Sequence, residues 1–341
     1  MPALAPRDAG NLQPLEKYMK AVRVIAHPDG GRIEVQEIAR PTVGPGQVLV
    51  RARASGLNRG EITQARDRRA GDPMTVGVEF AGEVAEVGSE VTAWREGDRV
   101  MGHGRACQAQ FVLADPLAIM PVPSTVSWIE AASFPNAFIT AHDAVITNGQ
   151  LQPGESILVN GASGGVAWAA LQIAALWPAR PVMAMSRSAE KLARLAQFGV
   201  DVGIDSSSQS QVEQVMSATG KRGVDVVIDQ VGAPVFEANV QSMAVGGRYV
   251  NIARLGGRNA QLDLEQLWLK RLKLIGVTFR TRSEQQRIQC VQACARDMLP
   301  FLKDGRIRWA IDRSFALDDI HAAHAYMMES RHFGKIVLTI D

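Results

Sequence analysis

The sequence has few cysteines and little excess of either charge. Its three cysteines, Cys107, Cys290 and Cys294, form an odd, sparse set without C-x-x-C spacing, which argues against a disulfide framework and suits a reducing compartment. Lys and Arg number 37 and Asp and Glu 35, for a formal net charge of +2. Because no block of like charges is present, a nucleic acid or an anionic membrane is not an expected partner. Small molecules are the expected partners.

Long apolar runs are also absent. The longest strongly apolar stretch, residues 166–177, stops at Pro178 and is well short of the roughly 20 residues that cross a bilayer. The opening MPALAPRDAGNLQPLEKY contains an acid and early prolines but lacks the apolar segment of a secretory signal. These features predict a protein without a membrane span, located in the cytoplasm.

The chain has two halves of different texture. At about 150 residues per domain, its 341 residues suggest roughly two domains. From Met19 to about residue 122, short extended segments alternate with Pro and Gly turns, which is typical of a β-rich module. From about residue 135, apolar strands alternate with helical segments. This alternation predicts an α/β fold with a doubly wound parallel sheet.

The elements predicted for the second half are strands at 156–160, 181–186, 224–229, 248–253 and 273–279, and helices at 164–177, 189–198 and 211–218. After residue 282 the pattern predicts a helix, a polar turn at 303–305, a helix at 318–329 and a closing strand, GKIVLTI. We expect this last stretch to pack against the first module.

The most informative segment is a glycine-rich loop between a strand and a helix, SILVN-GASGGVA-WAALQIA. Its spacing is G-x-x-G-x-x-A, with Ala167 as the small residue that lets helix and strand pack closely. Such a turn aims backbone N–H groups and the positive end of the helix dipole at an anion. Residues Ser163, Gly164, Gly165 and Val166 are therefore predicted to bind the pyrophosphate of a dinucleotide.

The same loop also fits G-x-S-x-G, the nucleophile elbow of α/β hydrolases. In that alternative Ser163 is the nucleophile of a serine hydrolase. Chain order would then allow an acid from Asp312, Asp318 or Asp319 and a base from His321, His324 or His332. A third hypothesis is a protein that binds NADPH without catalysing a reaction.

The residues at the end of the second strand distinguish NAD binding from NADP binding. In NAD-binding folds an acid about 20 residues past the loop binds the ribose hydroxyl, whereas a basic residue accepts the additional phosphate of NADP. Here the strand ends without an acid, and Ser186, Arg187 and Lys191 follow. We expect these three side chains to bind a phosphate, which predicts NADPH as the cofactor.

Several spaced segments resemble the medium-chain dehydrogenase/reductase superfamily, in particular its zinc-independent quinone oxidoreductase and enoyl reductase branch. They are GDRVMG, NGASGGVAWAALQIA, SRSAEKLARLAQFGVD, VDVVIDQVG, GGRYVNI and HFGKIVLTI. The resemblance runs from Met19 to the end of the chain. It implies a Rossmann domain (135–281) inserted in a β-rich, GroES-like catalytic domain (19–134 and 282–341), with an N-terminal extension (1–18) outside it. It also implies hydride transfer from NADPH to a quinone or to the β-carbon of an α,β-unsaturated carbonyl compound.

The resemblance further implies the residues around the nicotinamide. Asn58 is the expected catalytic residue, a cofactor contact that also polarises the acceptor oxygen. Further cofactor contacts are expected from Thr140, Ile252, Ala253, Phe279 and Lys335. Relatives often have tyrosines where this chain has none, in RGEITQARDRR and at Ser206, so water or the cofactor ribose is the expected proton source.

Two other features of the resemblance concern metals and partners. Zinc-dependent relatives have a cysteine within the segment that here reads ASGLN (54–58) and a histidine before Glu79, and both are missing. We therefore expect no metal. The pair His321 and His324 is interpreted as two residues of an exposed helix face. The apolar strand LKLIGVTF is expected to extend its sheet into a second subunit, which predicts a homodimer.

Overall fold

The structure is a computed structural model that describes residues 17–207 and 210–341. Of the predicted extension 1–18, residues 1–16 lie outside these ranges, and Tyr18 already belongs to the first strand. None of the described helices combines the length and the apolar composition that crossing a membrane requires.

The elements alternate as the sequence pattern indicates, with more short helices than predicted. The strands are β1 (Tyr18–Ile25), β2 (Arg32–Ala39), β3 (Val48–Leu57), β4 (Met74–Thr75), β5 (Glu79–Val87), β6 (Arg99–His103), β7 (Phe111–Ala114), β8 (Ile119–Pro121), β9 (Ile157–Asn160), β10 (Val182–Ser186), β11 (Val202–Asp205), β12 (Val224–Asp229), β13 (Met243–Asn251), β14 (Lys273–Gly276), β15 (Ile311–Ala316) and β16 (Lys335–Thr339). The helices are α1 (Arg59–Arg66), α2 (Trp128–Ser133), α3 (Pro135–His142), α4 (Gly165–Leu176), α5 (Ala189–Leu195), α6 (Gln211–Ala218), α7 (Ala233–Ser242), α8 (Leu264–Leu269), α9 (Glu284–Lys303) and α10 (Ile320–Met328). A π-helical segment (Asp143–Asn148) continues α3, and short 3₁₀ segments occupy Ala196–Phe198 and Leu317–Asp319.

The first module and the end of the chain share one sheet. Seven strands pair in the order β15-β16-β3-β5-β6-β8, with β7 also on β3, and a small sheet of order β2-β1-β4 lies beside them. The closing strand β16 is antiparallel to β3, with Ile336 opposite Leu57. Because Ile336, Val337 and Leu338 are fully buried, hydrophobic burial fixes this pairing. The prediction that the last stretch packs on the first module is confirmed.

The second sheet is six-stranded, with order β11-β10-β9-β12-β13-β14. All its neighbouring pairs are parallel. The chain order reverses between β9 and β12, and in open α/β sheets ligands bind at such a switch point, beyond the carboxyl ends of the strands. The predicted doubly wound Rossmann sheet is confirmed, and it places the glycine-rich loop, which follows β9, at the binding edge. The exact domain boundaries remain a prediction.

Three differences from the predicted elements have local causes. The strand predicted at 273–279 stops at Gly276, and Val277 continues with a backbone bond to Asn251 outside the ladder. The helix predicted to Phe198 leaves α geometry at Leu195 and ends in a 3₁₀ turn before Gly199, whose φ is 87°. Helix α8, six residues long and without a buried residue, was not predicted.

An aromatic cluster joins helix α4 to helix α3 and to the C-terminal segment. Trp168 of α4 is fully buried; its ring meets Phe138 edge-on with centroids 5.3 Å apart and lies 6.4 Å from Trp309. Truncating a buried tryptophan typically costs about 3–5 kcal/mol of stability. This cluster holds α4 against α3 and the C-terminal segment, and so fixes the glycine-rich loop relative to the first module.

Candidate active site

The glycine-rich loop forms a cradle against the C-terminal segment. Gly161 has φ 65°, and α4 begins at Gly165, directly after the loop. The backbone N–H of Gly334 donates to the carbonyl of Ser163 at 2.8 Å. A Cβ on Gly165 would lie 2.6 Å from Cδ of Lys335, so only glycine fits there. The N-terminus of α4 thus directly follows a glycine turn at the carboxyl end of β9, as in an anion-binding turn.

The hydrolase alternative requires an Asp–His pair beside Ser163, and the described residues do not provide one. Asp312 accepts from the hydroxyl of Tyr326 (2.6 Å) and the backbone N–H of Phe333 (2.8 Å). Asp318 pairs with Lys20 at 2.7 Å. The histidine–aspartate pairs in the described ranges involve other residues, His27 with Asp29 and His142 with Asp297. The Ser–His–Asp arrangement is therefore not assembled here.

The predicted phosphate-binding residues lie together at the end of β10. The Ser186 hydroxyl accepts from the backbone N–H of Ser188 at 3.2 Å, and Arg187 is exposed. Lys191 reaches across to the loop before β16, where its Nζ donates to the carbonyls of Ser330 (3.2 Å) and His332 (3.0 Å). Burial lowers the pKa of Lys191. Lys191 thus also links the Rossmann sheet to the C-terminal segment.

Two further cationic or potentially cationic residues, Arg59 and His332, which the sequence did not assign to phosphate binding, adjoin Lys191. Arg59 donates to the carbonyl of Met327 and to the hydroxyl of Ser330, both at 2.9 Å. The pKa of His332 is lowered by burial and then by Arg59 and Lys191. Nδ1 of His332 is buried without a hydrogen-bond partner in the described part of the chain. We call Arg59, Lys191 and His332 the loop cluster.

The loop cluster fits the phosphates of a dinucleotide. Neither Arg59 nor Lys191 forms an ion pair with a carboxylate within the described ranges. Cationic side chains without a carboxylate in ion-pair contact, an orphaned buried nitrogen and an adjacent helix N-terminus are what an anionic ligand would satisfy. The sequence named His332 only as a candidate base of the hydrolase alternative; the signals for a phosphate site are that Arg59 directly follows Asn58 and that His332 precedes the GK motif by two residues.

Asn58 lies in a second cluster, buried beneath the first. Its Nδ2 donates to Oε1 of Glu79 (2.8 Å) and to the carbonyl of Gly56 (3.3 Å). Its Oδ1 accepts from Nδ2 of Asn136 (2.7 Å) and from Nζ of Lys335 (2.9 Å). Lys335 also reaches Oε1 of Glu79 at 2.5 Å. We call Asn58, Glu79, Asn136 and Lys335 the amide cluster.

The amide cluster satisfies its own members. An asparagine side chain has two N–H donors and an oxygen with two lone pairs, and all four of these sites on Asn58 have protein partners. Lys335 uses its three donors on Asn58, Glu79 and, at 3.4 Å, the carbonyl of Leu57. In this arrangement Asn58 has no free donor for a substrate oxygen, and Lys335, 3% exposed, has none for a phosphate. Both therefore position their neighbours here.

Beside the amide cluster lies His103, which the sequence did not single out. His103 lies opposite Glu79 in the antiparallel pairing of β5 with β6. Its ring centroid is 5.2 Å from that of Phe279. Burial lowers the pKa of His103, so the imidazole is neutral at physiological pH.

The other predicted nicotinamide contacts come from neighbouring elements. Thr140 lies one helical turn after Asn136 on α3, on the same face. Ile252 and Ala253 follow β13, where their backbone N–H groups donate to the carbonyl of Asp229. Phe279 follows β14, the adjacent strand. The structure therefore brings Ile252, Ala253 and Phe279 to the binding edge of the sheet.

The residues present do not fit a catalytic zinc. Within residues 17–207 and 210–341, no three His, Cys, Asp or Glu side chains are grouped as metal ligands. The carboxylate of Glu79 is instead neutralised by Nζ of Lys335. An ammonium group in this position opposes a second cation.

Comparisons with known proteins agree with a GroES-like module joined to a dinucleotide-binding sheet. Residues 44–141 match the model of the alcohol dehydrogenase GroES-like domain, and residues 165–295 match a model described as zinc-binding dehydrogenase. Over 310 residues the chain is 31% identical to quinone oxidoreductase-like protein 2 of Bos taurus, covering 90% of this chain and 88% of that protein.

Two further comparisons come from polyketide biosynthesis. Over 308 residues the chain is 32% identical to the spectinabilin polyketide synthase system protein NorB of Streptomyces orinoci, covering 89% of this chain but 14% of that much longer protein. The solved structure of the CurF ER cyclopropanase from the curacin A biosynthetic pathway superposes with a TM-score of 0.81 at 26% identity, covering 95% of this chain and 99% of that one.

A Rossmann sheet joined to a GroES-like module, with a glycine cradle at the switch point, defines a nicotinamide-dinucleotide-dependent oxidoreductase. The chain belongs to the medium-chain dehydrogenase/reductase superfamily, in its zinc-independent quinone oxidoreductase and enoyl reductase branch.

Proposed function

We propose that this protein is an NADPH-dependent reductase that transfers a hydride to a quinone or to the β-carbon of an α,β-unsaturated carbonyl compound. The observation that carries the proposal is the loop cluster, in which Arg59 and Lys191 lie close together beside the glycine cradle and bond only to neutral oxygens. The names of the relatives, a quinone oxidoreductase-like protein and an ER cyclopropanase, support the two acceptor classes.

The preference for NADPH over NADH rests on the end of β10. Ser186 and Arg187 follow the strand, no carboxylate occupies that position, and Lys191 and Arg59 lie nearby around the loop before β16. An acid there would bind a ribose hydroxyl, whereas these donors suit a phosphate. We infer that they bind the 2′-phosphate and that Ser163, Gly164, Gly165 and Val166 bind the pyrophosphate.

The chain's residues bind, orient and exclude water. When bound, NADPH supplies the hydride from its nicotinamide C4. Ile252, Ala253 and Phe279 form the wall against which the reacting ring would pack, and the amide cluster fixes Asn136 and, one turn on, Thr140. In an enone, the hydride bonds to the β-carbon, the π pair moves to the carbonyl oxygen, and a proton then adds to the α-carbon. Since Asn58 and Lys335 offer no free proton donor, water or the cofactor ribose supplies that proton.

The test is oxidation of NADPH, followed by absorbance, against a panel of quinones, enones, 2-alkenals and enoyl thioesters, with NADH alongside. Consumption of NADPH with at least one acceptor, faster than with NADH, supports the proposal. If NADPH bound but no acceptor caused its oxidation, the protein would be an NADPH-binding protein without catalytic activity. Labelling of Ser163 by a fluorophosphonate, with indifference to NADPH, would instead establish the hydrolase.

We also propose a homodimer, located in the cytoplasm. Strand β14 is the free edge of the six-stranded sheet, and Leu274 on it is 40% exposed. Apolar side chains near this edge are also exposed, among them Trp268, Leu264 and Leu269 of α8. An apolar edge strand of this kind pairs readily with another chain. Light scattering should give a dimer for the wild type and a monomer for Leu274→Lys combined with Trp268→Lys.

A further inference from the structure

A cavity of about 310 Å³ lies between the first module and the N-terminal half of α9. Its walls come from the segments after β6 and β7 on one side and from the first turns of α9 on the other. The charged residues in these walls are Arg105, Asp115, Glu284 and Arg287, and His103 lines the cavity as well. The glycine cradle and the loop cluster are not part of it.

The two arginines of this cavity are unpaired. Neither Arg105 nor Arg287 has a side-chain hydrogen bond or an ion pair to any described residue, although Arg287 is only partly exposed. The carboxylates in the same walls do not pair with them: Asp115 accepts from the backbone N–H of Leu117 at 2.7 Å, and Glu284 is exposed in the first turn of α9. Two guanidinium groups from opposite walls are therefore available to a ligand.

His103 connects the cavity to the active site. His103 lines the cavity. The centroid of its ring also lies 5.2 Å from that of Phe279, at the nicotinamide wall. On the sheet His103 lies opposite Glu79 of the amide cluster. A molecule extending from the nicotinamide wall past His103 would enter the space between Arg105 and Arg287.

We propose that this cavity binds the anionic tail of the acceptor, a carboxylate or phosphate group remote from the carbon that is reduced. Arg105 and Arg287 hold the anion through charge-assisted hydrogen bonds, which guanidinium groups make bidentately. His103, which lines the cavity and lies beside Phe279, is placed between this tail and the reacting end. The inference rests on the proposed function, because it names the class of acceptor: an acidic quinone or enone.

The test compares acceptors that differ only in the tail. The probes are 8-oxooct-6-enoate, its methyl ester, and an enal of similar length ending in a phosphate monoester. Wild-type kcat/KM should be about tenfold or more higher for the charged acceptors than for the ester, in line with one or two charge-assisted hydrogen bonds. The carboxylate and phosphate arms show which anion the cavity prefers.

Arg105→Gln with Arg287→Gln should abolish this preference while leaving kcat/KM for the ester and the affinity for NADPH unchanged. Arg296→Gln is the matched control, since Arg296 lies on α9 outside the cavity and is exposed. A wild-type enzyme that treats acid and ester alike would overturn the inference. Equal losses for both acceptors in the double variant would do the same.

Calorimetric binding of the carboxylate and its ester separates this inference from the proposed function. Tighter binding of the carboxylate, lost in the double variant, supports the anion site even if no acceptor is reduced. Reduction of the ester without any preference for the carboxylate, in binding or turnover, leaves the reductase intact and removes the anion site. Melting curves confirm that each variant is folded.

Discussion

The amide cluster and the loop cluster lie next to each other and differ in one respect, the completeness of their partners. In the amide cluster each donor and acceptor of Asn58 has a protein partner, and Lys335 is paired with buried Glu79. In the loop cluster, Arg59 and Lys191 bond only to neutral oxygens, and Nδ1 of His332 has no partner in the described ranges. A satisfied buried cluster stabilises one structure, whereas an unsatisfied cationic one is suited to an anionic ligand.

The comparison also revises the role of Asn58. An amide with free donors would polarise an acceptor oxygen, as the sequence suggested. With its donors occupied by Glu79 and Gly56, we expect it to act by holding Asn136 and Lys335 in place. The difference is testable, because a positioning residue and a polarising residue respond differently to substitution.

The largest expected effect comes from breaking the amide cluster at its ion pair. Lys335→Met leaves the carboxylate of Glu79, which is fully buried, without its cation, and removing one partner of a buried pair costs about 3–5 kcal/mol. Equilibrium urea unfolding should show this loss. The control Lys303→Met, at an exposed site at the end of α9, should change little.

Adding Glu79→Gln to Lys335→Met should recover part of the lost stability, because the double variant no longer buries an unpaired charge. If Lys335→Met lowered the free energy of unfolding by less than about 1 kcal/mol, the Lys335–Glu79 ion pair would not be formed in solution. The contrast between the two clusters would then be lost.

The second prediction concerns the loop cluster. Lys191→Ala should raise the KM for NADPH about tenfold to a hundredfold and change the KM for NADH little, because the lost charge-assisted bond is to the additional phosphate. Steady-state kinetics with both nucleotides measures this, and Lys221→Ala, on the exposed turn after α6, is the control. Equal changes for the two nucleotides would show that Lys191 only links the modules.

A smaller effect is expected at Asn58. Asn58→Ala frees Nζ of Lys335 and the Asn136 amide, so it should lower kcat about tenfold through misplacement and change the affinity for NADPH by less than about threefold. The matched variant Asn148→Ala, in the π-helical segment, should leave kcat unaltered. If Asn58→Ala turned over at the wild-type rate, Asn58 would have no part in the mechanism.

The smallest expected effect is a pH dependence of cofactor binding. In the free protein burial, Arg59 and Lys191 lower the pKa of His332, with Asp312 opposing and Lys335 adding to the effect. A phosphate beside the imidazole would raise that pKa again, so binding takes up a proton. The affinity for NADPH should therefore increase as the pH falls from about 7.5 towards 6, by about threefold or less. His332→Gln should flatten this profile.

The sequence predicted the fold where patterns are local. Helix α6 and strand β12 have the predicted bounds, 211–218 and 224–229, because each is a short periodic segment bounded by clear turn signals. Strand β15 was missed because it is short and half-exposed. The seven-stranded sheet could be anticipated only through the expected return of the last strand.

The site was predictable in part. The glycine cradle and the end of β10 each lie within one segment, so their chemistry can be read from consecutive residues. The amide cluster is different, because Lys335 is 256 positions from Glu79 and 277 from Asn58. No local pattern records such a contact. Only the structure shows that all four hydrogen-bonding sites of the Asn58 side chain are occupied. The same holds for the position of His103 between Phe279 and the cavity.

A calorimetric titration of the wild-type protein with NADPH and, separately, with NADH shows whether the loop cluster and the end of β10 bind the additional phosphate. If the unsatisfied cations of the loop cluster and of β10 receive the phosphates, NADPH should bind at least about tenfold more tightly than NADH, since the additional phosphate gains charge-assisted bonds. Equal affinities, or the absence of heat with NADPH, would contradict the account.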